Sequence, residues 1–385
     1  MKMQAFVAAA VGLIACSLTG GIAPTASPAA TPNASLAPTH TRIPPTLTPL
    51  PPTPTPLPPA ITSGNVGGLS VFTTFAEGDL IRSLAFSPDG SALAAAVSDP
   101  AATIGAIRLF DTASGLPLRT LEGHTLAVWG LTISPDGRFL ASAGRDHTAR
   151  IWDWRTGSLV HSLDFPNEVV SVEFSPDSDT LAVGGVDQPP GVLLQDATIW
   201  TYDVDTWEPG IEFAEFWNIA DIAYTPDGAL IAGGGTSRNV RVWRTSDGVL
   251  EFILYHSHQA GSIAISPDGS TLATGTCQQS TDTSQCTDGA IWLWDLATGR
   301  RIHEMTGFPE GVVDVEFSHD GSAVIAGSRD GTLRAYRMSD YELLLAAISS
   351  VGGSPAAIIA LAISSDGRFL ATAGNGRINM WRVGP

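Results

Sequence analysis

A histidine, a hydroxyl residue and a carboxylate recur together twice in this chain: His124, Ser142 and Asp146, then His256, Thr274 and Asp288, each set followed by a tryptophan, Trp152 or Trp294. The first set has the residue types of nucleophilic catalysis, in which an acid-oriented imidazole takes the hydroxyl proton. That chemistry also requires an open pocket and donors for an oxyanion. A set that ends on an indole, which only donates, is better suited to satisfying buried polar groups and fixing local geometry. The structural role is expected, and no catalytic residue is assigned. His256 and His258 have a spacing that could put two rings on one side of a strand, but no third metal ligand is evident. No calcium loop, phosphate cradle or strong dinucleotide fingerprint is found, so neither metal nor cofactor is expected. Cys277 and Cys286 lie in a Gln/Ser/Thr-rich loop too irregular for a metal knuckle and are expected to form a disulfide.

The elements that position these residues announce themselves by a turn. Ser87-Pro88-Asp89-Gly90 returns at Ser134, Ser175, Thr225, Ser266, Ser318 and Ser364, with small variations and a period of 41 to 52 residues. Repeats of that length decide the fold. Proline fixes φ, aspartate bonds locally and glycine tolerates positive φ, so each segment predicts a tight hairpin between an inner and a second strand. A third strand follows and ends in an aromatic, as in Ala149-Arg150-Ile151-Trp152-Asp153. A second hairpin and a fourth, outer strand lead to the next repeat.

On these motifs the region of residues 69–383 resembles the WD-repeat β-propeller family. The resemblance implies an all-β fold, a seven-bladed β-propeller of four-stranded antiparallel blades. It also implies that His124, Ser142, Asp146 and Trp152 form a buried structural tetrad, and that His256, Thr274, Asp288 and Trp294 form another. Elsewhere the tetrad decays: Asp196 and Asp330 stand beside Tyr202 and Tyr336, and Asn375 replaces the acid beside Trp381. After Trp381 too little chain remains for a fourth strand in the last repeat. The segment from Leu69 to Ala76 is expected to supply it, closing the ring and leaving no free edge.

Residues 1–15 read as a signal peptide, with a short basic start and an apolar run of about a dozen residues, too short to span a bilayer. Leu13-Ile14-Ala15-Cys16 resembles a bacterial lipobox, in which Cys16 would be acylated and hold the chain on a membrane. Setting Cys16 aside leaves an even pair of cysteines in an exported chain. Residues 16–67 carry this cysteine and a Pro/Thr-rich stalk, expected to be extended and disordered, ahead of a propeller over 68–385. Net charge is −18, and Lys2 is the sole lysine. A nucleic-acid ligand is not expected, because phosphates demand a dense basic surface.

Measured from each turn to the third-strand aromatic, repeats one, three and five are longer, with insertions at 99–105, 186–195 and 277–287. By resemblance all three emerge on the face that the family uses for partners, and extra loops on a rigid scaffold commonly carry recognition. Arg82, Trp129, Arg145, Trp217 and Arg329 are candidate partner-binding residues there, of types that dominate interface energetics. The ring five residues before each turn, Arg82, Trp129, Val170, Ala220, Gly261, Val313 and Ile359, is too apolar for a metal. The expected function is a monomeric, membrane-anchored extracytoplasmic binding or scaffold module for unknown protein partners, without enzymatic activity. Two alternatives are a propeller enzyme of hydrolase, lactonase or quinoprotein type, with its site at the channel mouth, and a component of an envelope assembly or sensing complex.

Overall fold

Every Ser-Pro-Asp-Gly segment closes its hairpin with the same bonds. In the first, the Ser87 hydroxyl donates to Asp89 Oδ1 at 2.6 Å and accepts from the Ala92 N–H at 2.9 Å, while the Gly90 N–H donates to the Ser87 carbonyl at 2.8 Å. Gly90 sits at φ 67°, where a Cβ is disfavoured. Ser178 takes this conformation in the third repeat at φ 68°, and its hydroxyl there accepts the Asp136 N–H at 3.0 Å. One non-glycine turn is thereby tied to its neighbour.

The computed structural model describes residues 58–76, 80–99, 104–187, 196–216, 219–235, 238–279, 286–348, 350–351, 354–355 and 357–384. These fold into antiparallel sheets, with one short 3-10 turn at Val66–Gly68 and no α-helix. The first sheet runs Leu80–Phe86, Ala92–Ser98, Gly105–Asp111, Pro117–Glu122, and the second runs Val128–Ile133, Leu140–Gly144, Thr148–Asp153, Ser158–Asp164. Three more four-stranded sheets share this plan. Two further four-stranded runs, starting at Ile219–Tyr224 and Gln259–Ile265, are joined through a Gly235–Ala260 bridge and carry a short extra strand, Cys286–Asp288. Four-stranded antiparallel sheets repeated in this way are consistent with a β-propeller.

Inner strands of successive sheets pack side by side in chain order, and Ala360–Ile363 of the last packs against Leu80–Phe86 of the first. Leu69–Ala76 pairs antiparallel with Arg377–Val383, from Leu69 opposite Val383 to Ala76 opposite Arg377. The earliest strand among the described residues is therefore the outer strand of the last sheet. Small residues on the second strands let the sheets approach: every residue of Ala92–Ser98 is buried, whereas Pro117–Glu122 buries only Leu121. Core side chains lie between neighbouring sheets, as where Ile107 and Leu109 meet Leu131, Ile133 and Trp152.

The folded region begins upstream of the boundary expected at residue 68. Ile61 and Val66 are fully buried with Leu333, Ile358 and Trp381, and the Ile61 N–H donates to the Gly367 carbonyl at 2.6 Å. Burying two such side chains stabilises the fold by roughly 1.5–3 kcal/mol each, so the last part of the expected stalk belongs to the domain. Cys16, the leader, the rest of the stalk and Trp217 lie outside the described residues.

Candidate functional site

In the second repeat the chain of donors can be followed atom by atom. The Trp152 indole N–H donates to Ser142 Oγ at 2.9 Å, Ser142 Oγ lies 2.8 Å from His124 Nε2, and His124 Nδ1 lies 2.9 Å from Asp146 Oδ1. Because the indole only donates and a carboxylate only accepts, the bonds all run one way, from Trp152 through Ser142 and His124 to Asp146. Two members not expected from sequence complete the carboxylate: the Thr125 N–H at 2.9 Å and the Thr148 hydroxyl at 2.8 Å. Burial works to raise the Asp146 carboxyl, but hydrogen bonds from His124 and the two threonines outweigh it and hold the group well below the ordinary carboxylate range. Ser142 is fully buried, so no substrate reaches its hydroxyl. The network packs tightly beside Gly144, where an added Cβ would lie 2.4 Å from both His124 Nδ1 and Asp146 Oδ1.

The fifth repeat departs from the expected tetrad. Trp294 donates to Thr274 Oγ1 at 3.3 Å and Thr274 Oγ1 lies 2.8 Å from His256 Nε2, but His256 Nδ1 lies 3.0 Å from the Leu254 carbonyl. Asp288 is not a member; it is exposed, and its carboxylate accepts the Gly289 N–H at 2.9 Å. The insertion explains the change. Cys286–Asp288 pairs with the end of Thr271–Gln279, placing Asp288 opposite Gln278 on an extension of the sheet. Burial, partly offset by the Leu254 bond, pulls the His256 imidazole down to about 4. Cys277 and Cys286 form a disulfide packed against Gly311, where an added Cβ would lie 3.0 Å from Cys286 Sγ.

Of the other aromatic positions, Trp381 donates to Thr372 Oγ1 at 2.9 Å, and Asp330 accepts from the Thr332 N–H at 2.8 Å and from its hydroxyl at 2.5 Å. Neither rebuilds a tetrad.

Arg82, Trp129, Val170, Ala220, Gly261 and Val313 are each the skipped residue of a β-bulge near the start of an inner strand. A bulge re-aims its side chain, and this register explains why these residues border the central channel's mouth. The Arg82 guanidinium carbon lies 4.8 Å from the centroid of the Trp129 ring. Arg145 is held by Glu168, with contacts of 2.9 Å and 2.8 Å to Oε1. Exposed Arg329 shares an opening with Arg82, Cys286 and Glu310. Inner strands start at this end and second strands return to it, as the pairings Leu80–Ser98 and Gln259–Cys277 show. The expected insertions therefore leave from the same end, although residues 100–103, 188–195 and 280–285 lie outside the described set.

Deeper in the channel lies a layer of acids that sequence reasoning missed. Two residues, Asp221 and Asp314, directly follow their bulges, and two residues further come Glu173 and Glu316, all lining a cavity of about 380 Å³. Period-two counting from each bulge would have found them. The aspartates bind neighbouring sheets together. Asp221 Oδ2 accepts the Ile263 N–H at 2.9 Å, and Asp314 Oδ2 accepts the Leu361 N–H at 2.8 Å, each on the next sheet's inner strand. Ser83 and Ser262 do the same for Leu131 and Val315, at 3.1 Å each. Burial raises Asp314 to about 6 and Glu173 to about 7, and burial with neighbouring carboxylates pushes Asp221 and Glu316 well above the ordinary range. Among the described residues no three metal-ligating side chains converge.

This geometry defines a class, an all-β repeat protein whose like-built sheets turn one edge toward a common channel. The family model for the WD domain, G-beta repeat, matches residues 115–153, 157–188, 214–244, 299–337 and 347–382. The chain is 26% identical over 269 residues to guanine nucleotide-binding protein subunit beta of Arabidopsis thaliana, covering 66% of this chain and 67% of that protein. It is 27% identical over 250 residues to serine-threonine kinase receptor-associated protein of Gallus gallus, covering 57% and 69%. Protein groucho of Drosophila melanogaster is 28% identical over 192 residues, covering 50% of this chain and 24% of groucho. Together these findings support the WD-repeat family for this chain, a family whose members generally bind protein partners.

Proposed function

We propose that this chain is a closed, monomeric seven-bladed propeller that serves as a binding or scaffold module without chemistry of its own. It works outside the cytoplasm, held on a membrane by acylated Cys16 at the end of a Pro/Thr-rich stalk. One observation carries the choice of surface: Arg82, Trp129, Arg145 and Arg329 gather at the end of the inner strands from which the disulfide-stapled insertion also leaves. Arginine and tryptophan on a rigid frame are the side chains that anchor protein interfaces. The names of two relatives, a subunit and a receptor-associated protein, fit a role in assemblies.

Affinity capture from native membranes tests the face. Wild-type chain is compared with a variant carrying Trp129→Ala, Arg145→Ala and a shortened 277–287 insertion; recovery of the same partners by both would reject it. Cys16→Ser tests the anchor, with release from the membrane expected and unchanged retention without an acyl mass overturning it.

A further inference from the structure

The mouth holds two buried donors that have no acceptor among the described residues. Arg82 and Trp129 occupy equivalent bulges on adjacent inner strands, stacked through the guanidinium and the indole. Arg82 Nε and Trp129 Nε1 are both buried, and neither has an acceptor among the described residues. Other buried indoles differ: Trp152, Trp294 and Trp381 donate to hydroxyls, and Trp154 donates to the Gly137 carbonyl at 3.3 Å. Trp292 Nε1 also lacks an acceptor, but the arginine stacked on that ring, Arg301, is neutralised by Glu304 at 3.1 Å. Arg82 has no such counterion among the described residues.

Its charge therefore has no ion-pair partner among the described residues, in a partly desolvated place. Burial and the nearby positive charge of Arg145 both lower the proton affinity of Arg82, and Glu168 is already committed to Arg145. An unpaired buried donor costs free energy that an anionic acceptor would recover, and charge-assisted bonds are the stronger kind. The anion that suits this place carries a single charge. Asp314 lines the same cavity and, ionised once pH rises through about 6, would repel a dianion such as a phosphate more strongly than a carboxylate.

We propose that the channel mouth binds a carboxylate, the side chain of an Asp or Glu on a partner protein, between the Arg82 guanidinium and the Trp129 indole N–H. This rests on the binding face proposed above and names the chemistry that its partner presents. The carboxylate accepts from Arg82 and from the indole at once, so recognition needs both strands in register.

The test uses the full chain and N-acetylglutamic acid α-amide, whose side-chain carboxylate is its one charged group, as probe, followed through the Trp129 indole N–H signal in nuclear magnetic resonance, with Trp129→Phe assigning that signal. A saturable shift is expected, half-complete at or below about 20 mM as for a single weak contact. N-acetylglutamine α-amide, which carries no carboxylate, should give none. Arg82→Gln should weaken the response roughly tenfold or more, because a hydrogen bond to a charged group is lost, and Arg82→Lys should retain part of it. Should Arg82→Gln fail to fold, Trp129→Phe read through the Arg82 Nε–H signal applies the same criterion. No saturable shift, an equal response to N-acetylglutamine α-amide, or tighter binding of inorganic phosphate than of the carboxylate overturns the proposal. Partner capture that depends on Arg145 and the insertion, with no carboxylate response, removes this inference and keeps the face; a carboxylate response with unchanged capture removes the face instead.

Discussion

The histidine networks of the second and fifth repeats run in the same direction and end on different acceptors. Each passes from an indole through a hydroxyl to an imidazole, but His124 ends on the Asp146 carboxylate and His256 on the Leu254 carbonyl. Either acceptor serves the ring, since an N–H at Nδ1 needs only a lone pair. The carboxylate does more: it also accepts from Thr125 and Thr148, stitching the loop before the inner strand to the third strand. The fifth repeat has a disulfide nearby and places its acid elsewhere. The polar chain thus serves to satisfy buried donors, and the cross-link between loop and strand is a separable addition.

The largest effect should come from removing that addition. Asp146→Ala strands a histidine N–H, a backbone N–H and a hydroxyl, and should cost about 3–5 kcal/mol in denaturant unfolding. A cost below about 1 kcal/mol would mean that the cross-link is idle. Next comes pH. The folded-state value of His256 lies near 4 against 6.5 for the free group, so its contribution is present above about pH 6.5 and lost as pH falls toward 4, by up to about 3 kcal/mol. Asp146 behaves differently: its depressed value keeps its contribution until pH falls below the ordinary carboxylate range. Glu173 and Asp314 act oppositely, contributing at low pH and losing stability as pH rises through about 7 and about 6. Wild type minus His256→Gln isolates the histidine, and a difference that stays flat between about pH 7 and 4 would contradict its neutral burial.

Replacing both Cys277 and Cys286 by alanine should cost about 2–3 kcal/mol by loop-closure entropy. The loss should appear first as faster exchange of amides in the fifth repeat, with the second repeat unaffected; uniform loosening would show that the staple acts globally. Asp288→Ala should be the smallest change, within about 0.5 kcal/mol, as for an exposed carboxylate. A loss matching that of Asp146→Ala would restore Asp288 to the network.

Much of the frame was legible because it is local. Ser87, Asp89 and Gly90 make their turn within six residues, so reading the repeat was enough to place the hairpins and even the strand Leu69–Ala76. Counting failed at Asp288, because an insertion moved the residue without changing its distance from Trp294. It also missed Glu173, Asp221, Asp314 and Glu316, since a bulge shifts which side chains face the channel. Ile61 and Val66 looked like the end of a stalk because nothing near them in sequence shows what buries them.

The sequence alone determined the repeat, its strand order and the residue types of both networks, since turn chemistry and alternation act over a few bonds. Only the tertiary structure decided which acid completes a network, which carboxylates share the channel and which donors stand without an acceptor. Those outcomes depend on bulges, insertions and neighbouring sheets, where residues far apart in the chain compete for the same few lone pairs.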